Sequence, residues 1–432
     1  MRRFGWVGWV VVSLMAAAAV VLCGCGSTKA GGAGPGRPAR PAPRVTRPAA
    51  APTQHSELVS GNTDFALRLY QRLSREEGNL FFAPYSISTA LAMTYAGARG
   101  ETEGQMARTL GFSLPQAELH PAFNALSQEL GRGEETEGFR LHLANALWGQ
   151  TGYSFRQEFL DLLARSYGAG MELVDYTRDP EGARRAINEW AEKKTEGKIK
   201  DLVPRGEINE ATRLVLANAV YFDAKWLHPF RKASTGRAPF ALPSGRKVEV
   251  DTMHATLPAG YAEDRGWQVV ELPYQHESMG MDVLLPPEGA LAASERSLDA
   301  ARLSSLLGGL EPREVTLALP KFSYESRFKL NDTLAAMGMP DAFGSGRTDF
   351  SGMDGTRRLF IQFVVHKALV RVDEEGTEAA AATAVGMGGR AAPGEVVRVT
   401  VDRPFLFLIR DTRSGTILFL GRVVDPRGSQ AK

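Results

Sequence analysis

The sequence predicts an α+β fold arranged as one large domain. Three observations carry that reading. Apolar residues at helical spacing dominate the early part of the body and strand-like runs dominate the later part, without regular alternation. No internal repeat and no long linker follows residue 56. Hydrophobic residues make up 44% and charged residues 23%, the balance of a globular chain.

The elements follow in order. Asn62 to Asp64 are capping-type residues, and Phe65, Leu69, Tyr70 and Leu73 recur after them at helical spacing. Ser86 to Tyr95 is apolar and Ala-rich, which predicts a buried helix. Ala183, Ile187, Trp190 and Ala191 form a third helical face. Strands are expected at 213–222, 267–272, 281–285, 315–319, 359–372, 396–401, 405–409 and 417–423.

The chain has 432 residues and a formal net charge of +2, unevenly placed. Residues 1–55 hold Arg2, Arg3, Lys29, Arg37, Arg40, Arg44 and Arg47 and no acid. Without those seven, 44 basic residues face 49 acidic ones, so the body carries about −5. A body of that sign is unsuited to sequence-independent nucleic-acid binding, which needs cationic patches. The two cysteines, Cys23 and Cys25, both precede the body. The body therefore has neither a disulfide framework nor a thiolate metal cluster, and packing must hold it together.

The N-terminus reads as an address. Arg2 and Arg3 precede an apolar run from Phe4 to Cys23, the pattern of a secretory signal. Leu22-Cys23-Gly24-Cys25 resembles a bacterial lipobox, which implies lipidation of Cys25 and a place in the cell envelope. An ordinary secretory signal and an uncleaved membrane anchor are the alternatives. Residues 26–55 hold six prolines among Gly, Ala and Arg, a composition that cannot pack and serves as a tether. The expected domain is then 56–428.

Catalytic motifs are missing. No G-x-S-x-G elbow and no H-E-x-x-H occurs, and His276-Glu277 lacks the second histidine. Gly344-Ser345-Gly346 is not followed by the Gly-Lys-Ser/Thr of a phosphate loop. The seven histidines are scattered, and His366 in an apolar strand reads first as a hydrogen-bonded core residue. The expectation is a protein that is not an enzyme and has no metal or cofactor.

Residues 373–394 stand out. They join two strong strand patterns, yet Val385 and Met387 are their only large apolar side chains. So long a connection inside a compact domain is unusual. Laid out as a strand, Thr377, Ala379, Ala381, Thr383 and Val385 share one face, and Glu378, Ala380, Ala382 and Ala384 share the other. Such a segment fits between packed strands without bulk. Gly376 supplies permissive backbone, and Gly388-Gly389-Arg390 offers a lone cation to proteases. A featureless Ala/Gly linker has the same composition.

Five motifs in order decide between these. They are Asn79 to Ser88; Ile187 to Trp190 with Thr195 to Ile199; Asn218 to Phe222 with Lys225, Trp226, Pro229 and Phe230; Glu374, Gly376, Thr377 and Glu378 with Ala379, Ala380, Ala381 and Ala382; and Val401 to Phe407. Over about 56–428 the chain resembles the serpins. The resemblance implies three β-sheets, about nine helices and an exposed reactive loop. It implies that a target protease cuts sixteen positions after Glu374, between Arg390 and Ala391, with Met387 as the alternative. Arginine before the cut suits a trypsin-like serine protease, whose pocket carries a carboxylate, or an arginine-specific cysteine protease.

The resemblance further implies that the severed loop enters the main sheet and traps the protease as an acyl-enzyme. Ser86, Asn218 and His366 match the polar shutter beneath that sheet, and Trp226 matches the breach where insertion begins. Ala83 departs from the family's usual serine, which leaves a shutter hydrogen bond in question, and Ala391 replaces a commoner serine. The region matching the basic heparin-binding helix of some serpins, about 117–139, holds Glu118, Glu129, Glu134, Glu135 and Glu137, so no such cofactor is expected. The partners implied are a protease and, through Cys25, a membrane. The inhibitor is expected to act as a monomer. The rival readings are a non-inhibitory serpin-like carrier or substrate and, further off, a surface hydrolase.

Overall fold

The computed structural model describes residues 43–46, 50–131, 138–276, 278–344, 346–377 and 396–428. Among them lie ten α-helices: α1 (Pro52–Leu73), α2 (Pro84–Tyr95), α3 (Gly100–Leu110), α4 (Gln116–Leu130), α5 (Gln157–Tyr167), α6 (Pro180–Lys194), α7 (Leu291–Ser297), α8 (Ala300–Gly308), α9 (Asn331–Met337) and α10 (Ser351–Asp354). The strands up to residue 285 are β1 (Leu80–Phe82), β2 (Phe139–Gln150), β3 (Met171–Val174), β4 (Leu214–Lys225), β5 (Thr235–Ala241), β6 (Lys247–Asp264), β7 (Trp267–Pro273) and β8 (Met279–Leu285). The later strands are β9 (Glu311–Pro320), β10 (Phe322–Lys329), β11 (Phe363–Val372), β12 (Gly376–Thr377), β13 (Val397–Thr400), β14 (Phe405–Asp411) and β15 (Ile417–Val423).

The helices are set by local chemistry. α1 begins ten residues before the expected cap, at Pro52, and the backbone N–H of Ala51 donates to Gln54 Oε1 at 2.8 Å. Proline in the first turn costs the helix no hydrogen bond. Asn62 is not a cap: it is buried in mid-helix, where its Oδ1 accepts from Ser88 Oγ at 2.6 Å. That bond is long-range and could not be read from a one-dimensional pattern. α2 is buried at every position except Thr89. Asp179 caps α6 by accepting from the Gly182 N–H at 2.8 Å.

The strands form two hydrogen-bonded networks among the described residues, where three sheets were expected. The reason is β6. This 18-residue strand pairs β5 at its start, β9 along its middle and β7 at its end, and so ties two sheets into one nine-stranded network. The other network has six strands in the order β10-β11-β12-β4-β2-β3. The expected strand 359–372 begins later, at Phe363.

The six-stranded sheet lies between two cores, and its strand alternation shows this. On β4, Leu214, Leu216, Val220, Phe222 and Ala224 face the main core with α1, α2 and the larger network. Val215, Ala217 and Ala219 face a second core made with Ile187 and Ala191 of α6. β11 divides the same way, with Val364, Ala368, Val370 and Val372 on the main-core side and Phe363 and Val365 towards α6. A sheet covered on both faces reads as a nearly continuous apolar run, as β4 and β11 do.

Candidate functional site

The seam between β4 and β11 is the centre of the site. Below, these strands pair directly and in parallel, from Phe363 with Val215 to Ala368 with Val220. Above, they part, and β12 lies between them. Thr377 pairs antiparallel with Ala224 on one side and with Val372 on the other, and Gly376 pairs with Lys225. The loop was expected to join the sheet from about Thr377 onward once cut; Gly376 and Thr377 are inside it in the uncut chain.

Gly376 is needed here for space, whereas flexible backbone was expected. A Cβ at this position would sit 2.1 Å from the Ala224 carbonyl oxygen and 2.8 Å from Lys225 Cα. Thr377 is 1% exposed, and its hydroxyl shares a 2.6 Å hydrogen bond with the Tyr274 hydroxyl. Tyr274 stacks on Trp226 with ring centroids 4.6 Å apart. Trp226 in turn donates from Nε1 to the Asp373 carbonyl at 3.0 Å and from its backbone N–H to the Glu375 carbonyl at 2.9 Å.

Two acidic side chains fasten the turn before β12. Glu374 accepts from Thr235 Oγ1 at 2.7 Å and pairs with Lys321 Nζ at 2.8 Å, while its carbonyl accepts from the Phe230 N–H at 2.9 Å. Burial opposes the charge on Glu374, but the bonds from Lys321 and Thr235 outweigh it and hold the carboxyl below its usual range. Glu375 pairs with Lys232 Nζ at 2.6 Å.

Further down the seam a polar row crosses the sheet. Asn145 on β2 lies opposite Asn218 on β4, which lies opposite His366 on β11. Asn218 Nδ2 donates to Ser86 Oγ of α2 at 2.7 Å and also to Asn145 Oδ1. Ser86 Oγ donates to Asn145 Oδ1 at 3.2 Å. His366 Nε2 accepts from the Ala83 N–H at 3.1 Å, so Nδ1 carries the proton and donates to Asn218 Oδ1. Ser86, Asn218 and His366 are fully buried. Burial pushes the His366 pKa down to about 3, so the ring is neutral at physiological pH.

The sequence-predicted residues Ser86, Asn218 and His366 therefore form one network, and Trp226 bonds Asp373 and Glu375, in the turn that holds Glu374 and leads to Gly376 and Thr377. At Ala83 the backbone N–H bonds His366, and alanine brings no hydroxyl to the row. Asn145, Tyr274, Thr235 and Lys321 were missed. Asn145 was detectable as an amide in the apolar run 141–148; the other three reach the site from distant turns and strand ends. Arg390, Ala391, Met387, Glu378, Ala379 to Ala382 and Cys25 lie outside the described residues, as do Glu134, Glu135 and Glu137. No helix among the described residues is long and apolar enough to cross a membrane.

Comparisons with known proteins bear on this arrangement. The family model described as Serpin (serine protease inhibitor) matches residues 60–426. The chain is 41% identical over 382 residues to the human leukocyte elastase inhibitor, a match covering 86% of this chain and all of that one. It is 41% identical over 376 residues to an uncharacterised serpin-like protein of Thermococcus kodakarensis, covering 87% of each. Among solved structures, the thermophilic serpin tengpin in its native state superposes with a TM-score of 0.81 at 28% identity, covering 89% of this chain and 97% of that one. Thyroxine-binding globulin in complex with thyroxine superposes with a TM-score of 0.76 at 30% identity, covering 86% and 99%. Motif order, whole-length relatives and the seamed six-stranded sheet agree, and the chain belongs to the serpin family.

Proposed function

We propose that this serpin is a suicide inhibitor of a trypsin-like serine protease, cut at Arg390–Ala391. One observation carries the reading more than any other. β12 sits antiparallel to both β4 and β11, and its chain direction leads down the seam. Carried on, its register brings Glu378 opposite Asp223 and Arg371, and Thr383 opposite Asn218 and His366. Thr377, Ala379, Ala381, Thr383 and Val385 would then face the main core, with the threonine at the level of the polar row. Each added residue replaces part of one parallel pairing by two antiparallel ladders, which are somewhat more stable per residue.

In the uncut chain the loop is held at both ends and cannot follow that path. Attack by the protease leaves an acyl-enzyme and frees the end at Arg390. Insertion of about a dozen residues then carries the protease on the order of 40 Å and distorts its active site. The native fold is a kinetically stabilised state, not the most stable one. A relative named leukocyte elastase inhibitor, matched over its whole length, supports inhibition as the general activity. Attachment to the cell envelope through a lipid on Cys25 belongs to the same proposal, and labelled palmitate entering the wild type but not Cys25→Ser tests it.

The fold is also that of a protein solved in complex with thyroxine, so a non-inhibitory binding role is the second reading. Incubation with trypsin separates the two. Inhibition predicts a complex that survives boiling in detergent, with a new N-terminus at Ala391. Cleaved chain beside fully active trypsin supports the binding role instead.

A further inference from the structure

One edge of the six-stranded sheet is only half filled. β3 pairs with β2 from Leu147 to Gln150, and among the described residues 139–146 have a neighbouring strand on the β4 side alone. Every second residue of such an edge turns its N–H and C=O outward, which leaves a ladder ready to be paired. We infer that this edge is a binding site for an extended peptide of a partner protein, which adds as a strand beside residues 141–146 and carries a small hydroxyl side chain and an acidic one. The site is independent of the inhibitory reading above.

The edge opens into a cleft. A space of about 370 Å³ runs along residues 141–146, bounded by the turn 168–170 and by Trp190 and Lys194 of α6. It meets a chamber of about 70 Å³, and Leu143, Asn145, Tyr167 and Ala169 line both. The chamber holds the hydroxyl of Tyr85, which is buried and has no hydrogen-bond partner in the fold. The Thr89 hydroxyl beside it donates instead to the Tyr85 carbonyl at 2.8 Å. Burial pushes the Tyr85 pKa up, so the phenol stays a neutral donor. A buried donor left unpaired is unusual. A serine or threonine of the incoming strand would supply the acceptor and is small enough for the chamber.

The charges place the acid. Lys194 is exposed and makes no ion pair among the described residues. Two residues beyond it, Glu196 pairs with Arg140 and His142, which sets Lys194 near the 140–142 level of β2. Glu172 lies opposite Trp148, at the other end of the cleft. An acid on the ligand therefore belongs at the Lys194 end. Leu141 and Leu143 face the main core with Tyr85, whereas Ala144 and Ala146 face the core under α6. Strand side chains alternate between faces, so the hydroxyl and the acid stand an odd number of residues apart. The Pro/Arg-rich segment 26–55 fits poorly, because its prolines lack ladder donors and its arginines would meet Lys194.

The probe is a pool of capped six-residue peptides with Thr and Glu one or three positions apart and Ala, Val or Ser elsewhere. Backbone hydrogen exchange on the full chain reads where they bind. The site predicts saturable protection of 141–146 without added protection of 363–368, and none from a pool methylated on alternate backbone nitrogens. Tyr85→Phe should weaken binding by roughly three- to tenfold, the effect of one lost hydrogen bond. Lys194→Glu, a change at an exposed position, should weaken it too, and a pool with Lys in place of Glu should bind this variant better than the wild type. No protection of 141–146, protection along 363–368 instead, equal protection by the methylated pool, or unchanged affinity in both variants overturns the site.

Discussion

At the scale of single residues, the site depends on groups kept neutral or kept small. His366 takes one bond and gives one only as the uncharged ring. Its pKa is near 6.5 when unfolded and about 3 when folded, so between these values the unfolded state binds the extra proton. Stability therefore falls as pH drops from about 6.5 towards about 3, by at most about 1.4 kcal/mol per unit from this residue. Glutamine at this position can make both bonds and does not titrate. Denaturant melts across pH 3–7 should show a shallower acid loss in His366→Gln than in the wild type; equal slopes would remove His366 as the cause. Thr377 is constrained differently. Thr377→Arg would bury a charge against Tyr274 and β4, and an unpaired buried charge is strongly disfavoured. The variant should be cleaved by trypsin as a substrate, with little covalent complex on a detergent gel. Normal yields of complex would mean that Thr377 need not stay in the sheet.

At the scale of elements, two residues of β12 hold a register against both β4 and β11 that the proposed insertion would extend. On the proposed insertion their register would bring Thr383 to the level of Asn218 and His366, where β4 and β11 now pair directly. Thr383→Val should leave the melting of the intact protein unchanged. It should lower the stability of the cleaved form by about 1 kcal/mol, the worth of one buried hydrogen bond. A cleaved variant melting with the cleaved wild type would show that the register is wrong. The helices and strands that place this seam were mostly legible in the sequence, because long apolar runs such as 214–222 and 363–372 have few other fates. The order of the five motifs marked Ser86, Asn218, His366 and Trp226 as one site. Tyr274, Lys321 and Thr235 were not legible, since each reaches the hinge from a part of the chain whose local pattern is ordinary. The start of α1 was misplaced because Asn62 looks like a cap until Ser88 is brought beside it. The merging of two sheets was hidden because β6 changes partners along its length.

At the scale of the molecule, the fold holds an unused strand position. β4 and β11 pair in parallel along a seam whose upper end is wedged by β12. Hydrogen bonds along the Asn145–Asn218–His366 row tie β2, β4 and β11 together below β12, and on the proposed reading a cut at Arg390–Ala391 would let the loop part them. The most direct measurement is the thermal unfolding of intact protein beside protein nicked in the loop by a protease that is not trapped. The account predicts that the nicked molecule unfolds at a clearly higher temperature, because the freed segment has become a central strand. A nicked molecule that unfolds at the same or a lower temperature would contradict it.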